Sequence, residues 1–286
     1  MLRTGRRGHD DTDLLVMAIV NRTPDSFFDR GATWAEDAAM ERVAAVVADG
    51  ADIVDIGGVK AGPGQTVDTD EEIRRVIPFV ERVRDSYPDL VISVDTWRHE
   101  VADAACRAGA DIVNDAWGGV DPRTAEAAAR HGAGLVCTHA GGLAPRTRPH
   151  RVAYADVMAD VLRRTLDLVD LACRAGVDPE RILIDPGHDF GKNTWHSLEV
   201  TARLDEMVAS GWPVLVSTSN KDFVGETLDR SVDDRGPGSL ATVAICAWLG
   251  ARAFRVHAVR DTRDVLDMVS AVRGDRPPAR AIRGLA

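Results

Sequence analysis

The sequence predicts an α/β protein folded as one (β/α)₈ (TIM) barrel, and three observations carry that expectation. Eight short runs rich in β-branched residues recur along the 286 residues, each apolar on both faces, as parallel strands covered on two sides must be. A longer amphipathic stretch follows each run, such as WAEDAAMERVAAVVADG after the first and TRDVLDMVSAV after the last. The first run leads into a polar turn, Asn21-Arg22-Thr23-Pro24-Asp25-Ser26, and not into the G-x-G-x-x-G of a dinucleotide fold. Eight parallel βα units close most naturally into a barrel, with a doubly wound open sheet as the alternative.

In chain order the strand runs are LLVMAIV (14–20), DIVDIG (52–57), LVISVDT (90–96), DIVNDA (111–116), GLVCTH (134–139), ILIDPG (182–187), PVLVSTS (213–219) and FRVHAV (254–259). Gly or Asp usually precedes a strand, as helix C-caps and turns require in repeated units. The long connections follow strands one, two and five (21–33, 58–69 and 140–151), on the face where barrels place function. Residues 1–286 are read as a single domain, with 1–12 and 274–286 as loose tails.

Composition excludes several classes. A net charge of −10 argues against a sequence-independent nucleic-acid surface, so any anion must be caught by a local basic site. No segment reaches the length and apolarity of a membrane span, and MLRTGRRGHDD is followed by no apolar h-region, so the expectation is a soluble, cytoplasmic chain with no membrane partner. Cys106, Cys137, Cys173 and Cys246 are widely spaced without a C-x-x-C pair and are read as reduced, buried thiols.

The chemistry lies at the strand ends. A polar group inside a barrel costs several kcal/mol unless it is paired, yet strand one ends at Asn21, three at Asp95, four at Asn114 and Asp115, five at His139, and six at Asp185. Strand seven ends near Ser219 and Lys221, and strand eight carries Arg255 and His257 on one face. Convergent carboxylates, amides and cations make a small-molecule site. Each also has a structural reading: Asp95 before Thr96 as a helix cap, Asp185-Pro186-Gly187 as a turn, His139 as a core histidine. Arg255 and His257 resist such readings most. Asp189-Phe190-Gly191 lacks the other parts of a kinase, Gly187 to Lys192 is too short for a Walker loop, and no Ser-His-Asp set or His/Cys cluster assembles.

These strand ends, taken in order, resemble the dihydropteroate synthases from about residue 14 to 273. The motifs are Asn21-Arg22-Thr23-Pro24-Asp25-Ser26-Phe27, Asp55-Ile56-Gly57-Gly58, Ser93-Val94-Asp95-Thr96, Ile112-Val113-Asn114-Asp115, Asp185-Pro186-Gly187 with Phe190-Gly191-Lys192, Ser219-Asn220-Lys221, and Arg255-Val256-His257. The resemblance implies a homodimeric barrel that condenses 6-hydroxymethyl-7,8-dihydropterin pyrophosphate with p-aminobenzoate and releases pyrophosphate. It implies a pterin held by Asp95, Asn114, Asp185, Phe190, Ser219 and Lys221, with Asp185 accepting paired N–H donors from the ring edge. Asn21 would help hold Mg²⁺. Lys221, Arg255 and His257 would serve catalysis, the last two facing the phosphates.

The chain departs from that pattern on one side. Where the family reads Gly-Gly-Glu-Ser-Thr-Arg-Pro-Gly, this sequence has Gly57-Gly58-Val59-Lys60-Ala61-Gly62-Pro63-Gly64, and Ser-Arg-Lys becomes Ser219-Asn220-Lys221. Two arginines that would clamp an anion are missing. Each such contact is worth about 1.5–3 kcal/mol, and two together approach a thousandfold in rate or affinity. Lys60, Arg22 and Arg30 are the cations that could compensate, and Asp189 replaces a family glycine. The expectation is a divergent paralogue that keeps the pterin pocket with synthase activity impaired or lost. A working synthase with a remodelled anion site is the first alternative. A methyltetrahydrofolate methyltransferase is the second, disfavoured by Lys221 and the Arg255-x-His257 pair.

Overall fold

The computed structural model describes residues 2–23, 36–147 and 152–284. Two short strands, β1 (Leu2–Thr4) and β2 (Arg7–His9), precede the eight parallel strands of the barrel. These are β3 (Leu15–Asn21), β4 (Ile53–Gly57), β5 (Val91–Asp95), β6 (Ile112–Asp115), β7 (Gly134–Thr138), β8 (Ile182–Asp185), β9 (Leu215–Val216) and β10 (Ala253–Val256). The described helices around them are α1 (Glu36–Ala48), α2 (Thr69–Ser86), α3 (His99–Arg107), α4 (Arg123–His131), α5 (Val157–Ala175), α6 (Thr194–Ala202), α7 (Leu204–Val208), α8 (Asp222–Leu228), α9 (Gly236–Trp248) and α10 (Val259–Arg273). The barrel order, β8-β7-β6-β5-β4-β3-β10-β9, closes through a parallel bridge between Ile184 and Val214 and the bond from Ile184 N to Pro213 O (3.0 Å). That closure excludes the open doubly wound sheet. No described helix is long and apolar enough to cross a membrane.

Strand alternation sorts the side chains. Val16, Ala18, Val54, Ile56, Ile92, Val94, Val113, Ile184 and Phe254 point outward into the main core against the helices. Leu15, Met17, Ile53, Val91, Ile112, Val136, Leu183, Leu215 and Ala253 point inward and pack the lower lumen. Nearer the C-terminal ends the inward positions turn polar, at Asp55, Ser93, Asn114, Asp185 and Arg255, all half-buried or buried. The lumen is thus apolar at the bottom and charged at the top.

The N-terminal segment is not the loose tail expected over residues 1–12. β1 and β2 form an antiparallel hairpin, Leu2 pairing with His9 and Thr4 with Arg7. Leu2 is 1% exposed and completes the lower-lumen cluster, so the hairpin stoppers the barrel's N-terminal end. A short charged segment gains its fold here because the open bottom of the barrel offers apolar surface to one leucine. After α10, residues 276–284 are exposed and carry no helix or strand.

Helices that matter to the site are capped by the chemistry of their first residues. Asp68 accepts from Glu71 N (2.8 Å) at the start of α2, and Asn193 forms a capping box at α6. The four cysteines are free, Cys137 and Cys246 buried and Cys106 and Cys173 half-buried. Burial pushes the Cys106 and Cys246 thiols up to about 12, which leaves them unreactive.

Candidate functional site

The C-terminal ends of the strands surround a cavity of about 250 Å³, slightly below the usual range of roughly 300–1,000 Å³ for small-molecule pockets. The residues that the family resemblance assigns to the site all line it: Asn21, Asp95, Asn114, Asp185, Phe190, Ser219, Lys221, Arg255 and His257. Strand register explains the convergence, since Asn21, Gly57, Asp95 and Asn114 are successive partners across β3 to β6 and lie at one level of the lumen.

Beneath that level sits Asp55, part of the Asp55-Ile56-Gly57-Gly58 motif but given no role from the sequence. It is fully buried and accepts from Arg255 Nε (2.6 Å), Ser93 Oγ (2.6 Å) and Asn114 Nδ2 (3.2 Å). Arg255 also donates through Nη2 to Asp95 Oδ2 (2.9 Å), so one guanidinium ties two carboxylates across the lumen. Asp95 is therefore an ion-pair partner and not a helix cap. Burial pushes its carboxyl up to about 7, opposed by the Arg255 charge and reinforced by Asp55.

Asp185 fulfils both of its readings. Its Oδ1 accepts from Gly187 N (2.6 Å), as in a turn, while the side chain still lines the cavity. Burial pushes its carboxyl up, against the Gly187 bond and the Lys221 charge. The turn demands glycine at 187, where φ is 64° and a Cβ would stand 2.0 Å from His139 O.

The loop after β8 forms one wall. Lys192, 3% exposed, donates to Gly187 O (3.1 Å) and Phe190 O (3.1 Å) and meets His139 Nδ1 (2.6 Å), pinning the loop from behind. Phe190 meets Trp117 edge to face at 4.9 Å, and Lys221 Nζ lies 4.3 Å from the Phe190 ring centre while donating to His188 O (3.1 Å). Burial pulls the Lys221 ammonium down, with Asp189 and then Asp185 opposing. Ser219 Oγ and His257 Nδ1 are 3.0 Å apart, which pairs the ends of β9 and β10. Thr138 Oγ1 is buried against the cavity with no hydrogen-bond partner among the described residues, a polar atom placed for a ligand.

Two members of the strand-end set point elsewhere. His139 turns outward, its Nε2 3.0 Å from Asp160 Oδ2 on α5, and burial lowers it to about 4. Asp115 also faces out, accepting from Trp117 N (3.1 Å) and Thr124 Oγ1 (3.4 Å). Both hold the wall of the barrel together, and neither lines the cavity.

The rim differs from the floor. Lys60 lines the cavity, on a loop held by Arg146 to Gly62 O (3.0 Å) and Gln65 O (2.6 Å) and by Arg75 to Gly58 O (3.1 Å). Asn220 is 6% exposed, in the left-handed region (φ 57°), with Ser239 Oγ donating to its Oδ1 (3.4 Å). Arg22 stands outside the cavity lining: one residue past Asn21 it takes the opposite face, its guanidinium 4.9 Å from the Phe79 ring centre of α2. Arg30 lies outside the described residues. Among the described residues lining the cavity, the lysines and arginines are Lys60, Lys221 and Arg255.

For a metal, Asn21 offers the cavity a neutral amide oxygen, a donor of the hard type Mg²⁺ takes. The one described group of three side chains spaced to share an ion, His99, Glu100 and Asp121, lies outside the cavity. The donor set at Asn21 fits an ion that draws most of its ligands from phosphate and water, not an all-protein cage.

A parallel barrel with a polar, aromatic-walled cavity at its C-terminal face defines a small-molecule-binding (β/α)₈ protein. The chain belongs to the family of pterin binding enzymes, whose sequence model matches residues 17–257. It is 57% identical over 276 residues to inactive dihydropteroate synthase 2 of Mycobacterium leprae, covering 95% of each chain. It is 40% identical over 260 residues to the dihydropteroate synthase of Bacillus subtilis, covering 90% of this chain and 88% of that one. Among solved structures, dihydropteroate synthase of Yersinia pestis in a sulfonamide drug complex superposes with a TM-score of 0.90 at 34% identity, covering 96% of this chain and 99% of that chain.

Proposed function

We propose that this chain is a dihydropteroate synthase-like protein that binds a pterin and does not carry out the condensation with p-aminobenzoate at a useful rate. The observation that carries the reading is a cavity in which an intact floor, Asp95, Asn114, Asp185 and Lys221, meets a rim without arginine at Ala61, Gly62 and Asn220. Asp185 accepts the paired N–H donors of the pterin edge, Asn114 supplies a mixed donor and acceptor, and Phe190 and Trp117 flank the ring. Ser219 and His257 close the β9–β10 side. The naming of the Mycobacterium leprae relative as inactive supports the same conclusion.

Asn21 is the residue we assign to Mg²⁺, which would neutralise diphosphate charge when bound. We further propose a cytoplasmic protein and a homodimer, the latter because Ile245 and Trp248 on α9 and Met268 and Val272 on α10 present large apolar side chains to solvent. Trp248→Glu should convert a dimer to monomer in light scattering, and an unchanged mass would remove that face from consideration.

The activity test is direct. Purified protein incubated with 6-hydroxymethyl-7,8-dihydropterin pyrophosphate, p-aminobenzoate and Mg²⁺ should give no product above the uncatalysed background, while calorimetry should register pterin binding. Turnover comparable to an active synthase would overturn the first half, and absence of affinity for any pterin the second.

A further inference from the structure

Two carboxylates in the cavity, Asp189 and Asp222, belong to neither the floor nor the Arg255 pair, and Asp222 is paired with Arg235 (3.0 Å). Asp189 stands in a left-handed backbone conformation (φ 66°) that few side chains accept. Its Oδ2 accepts from Asp222 N (2.7 Å) and more distantly from Phe223 N (3.4 Å), and its Oδ1 is 3.2 Å from Ser197 Oγ. The side chain is therefore fixed in place at the cavity wall, beside Lys221. Burial works against the Lys221 ammonium, and of the charges around it that of Asp189 does most to keep it protonated.

The charge balance of the cavity follows. Asp95, Asp185 and Asp189 line it, beside the Asp222 that is paired with Arg235, against Lys60, Lys221 and Arg255, and Arg255 is already engaged by Asp95 and the buried Asp55. A diphosphate would enter a site where Arg255 is held by two carboxylates and Lys221 lies in the field of Asp189 and Asp185, with Lys60 as the rim cation among the described residues. An uncharged ring with hydrogen-bonding edges meets no such opposition.

We infer that the cavity selects an uncharged reduced pterin over the corresponding diphosphate ester, and that Asp189 is the specificity-determining residue, its fixed carboxylate cancelling Lys221 toward an incoming anion. This rests on the pterin reading of the site. It makes the loss of synthase chemistry a gain of negative charge as well as a loss of rim arginines.

Calorimetric titration with 6-hydroxymethyl-7,8-dihydropterin and with its diphosphate, in metal-free buffer, tests it. The native protein should bind the alcohol about tenfold more tightly than the ester. Asp189→Asn, which keeps an acceptor for Asp222 N and tolerates the left-handed backbone, should tighten the ester about tenfold and leave the alcohol within about threefold. Asp189→Gly should act in the same sense. A native protein that prefers the ester, or variants that move both ligands equally, would overturn the inference while leaving pterin binding standing. A native protein that binds neither compound would overturn the pterin reading and this inference with it.

Discussion

Replacing Arg255 by methionine should destabilise the protein by about 3–5 kcal/mol, because it removes one member of a buried charge network and strands the others. Asp55 is wholly buried and loses its guanidinium partner, keeping the Ser93 hydroxyl and the Asn114 amide, while Asp95 loses the bond at 2.9 Å. At about 2–4 °C per kcal/mol for a chain somewhat shorter than this one, the expected fall in Tm is roughly 6–20 °C. Urea denaturation at two pH values gives the sharper test. The Asp95 carboxyl already titrates at about 7, and loss of the guanidinium raises it further. A carboxyl whose folded pKa exceeds its unfolded value withdraws stability as pH rises between the two, and the variant extends that window above 7. The deficit should therefore be larger at pH 8.5 than at pH 6. Adding Asp55→Asn to the Arg255→Met variant should restore about half of the loss, since it removes the stranded charge. A deficit below about 1 kcal/mol, or one independent of pH, would show that Arg255 does not hold the cavity floor together.

Three further outcomes follow from the same geometry. Asp185→Asn should weaken pterin binding by about a hundredfold or more, through loss of charge-assisted acceptance, yet barely move the Tm because an amide oxygen can still accept from Gly187 N; calorimetry beside thermal melting separates the two. Lys192→Met leaves Phe190 O and His139 Nδ1 short of a donor at about 1–3 kcal/mol each, while Gly187 O keeps its bond from Phe190 N (3.0 Å), so amide exchange across residues 187–192 should accelerate, and unchanged protection would contradict the assigned role. Leu2→Ala should cost about 2–5 kcal/mol in denaturant unfolding, whereas a freely moving tail would show no effect.

The strands and most of the cavity are legible in the sequence because an ionisable residue inside an apolar run is conspicuous, and such interruptions recur at the same end of nearly every strand. Parity is harder to read. Buried parallel strands are apolar on both sides, so hydrophobicity alone does not say which residues face the lumen, and it groups His139 and Asp115 with residues that point the opposite way. Arg22 follows the same rule: since Asn21 faces in, its neighbour faces out, onto Phe79. Asp55 stands within DIVDIG, two residues before the strand end, and alternation from Gly57 places it in the lumen. Trp117 and the N-terminal hairpin carry no local signal, since each is decided by a distant partner, Phe190 in one case and the open barrel bottom in the other.

Loss of two rim arginines would matter less if the remaining cations were available to an anion, and the geometry shows why they are not. Arg255 commits two of its donors to Asp55 and Asp95, and Lys221 faces Asp189 and Asp185 and donates to His188 O. Arg146 and Arg75, close in space to the rim, are engaged by the carbonyls of Gly62, Gln65 and Gly58. Each of these partners is internal to the fold, so recruiting any of the four cations to a phosphate would unpair a carboxylate or a carbonyl, at a cost comparable to the worth of the new phosphate bond. Among the described residues Lys60 is the cavity-lining cation for which no such commitment stands in the way, and a single ammonium on a flexible stem lacks the fork geometry of the missing guanidinium groups. Restoring one arginine at Gly62 or Asn220 should therefore fail to restore condensation by itself, and recovery should require that Asp189 be neutralised as well.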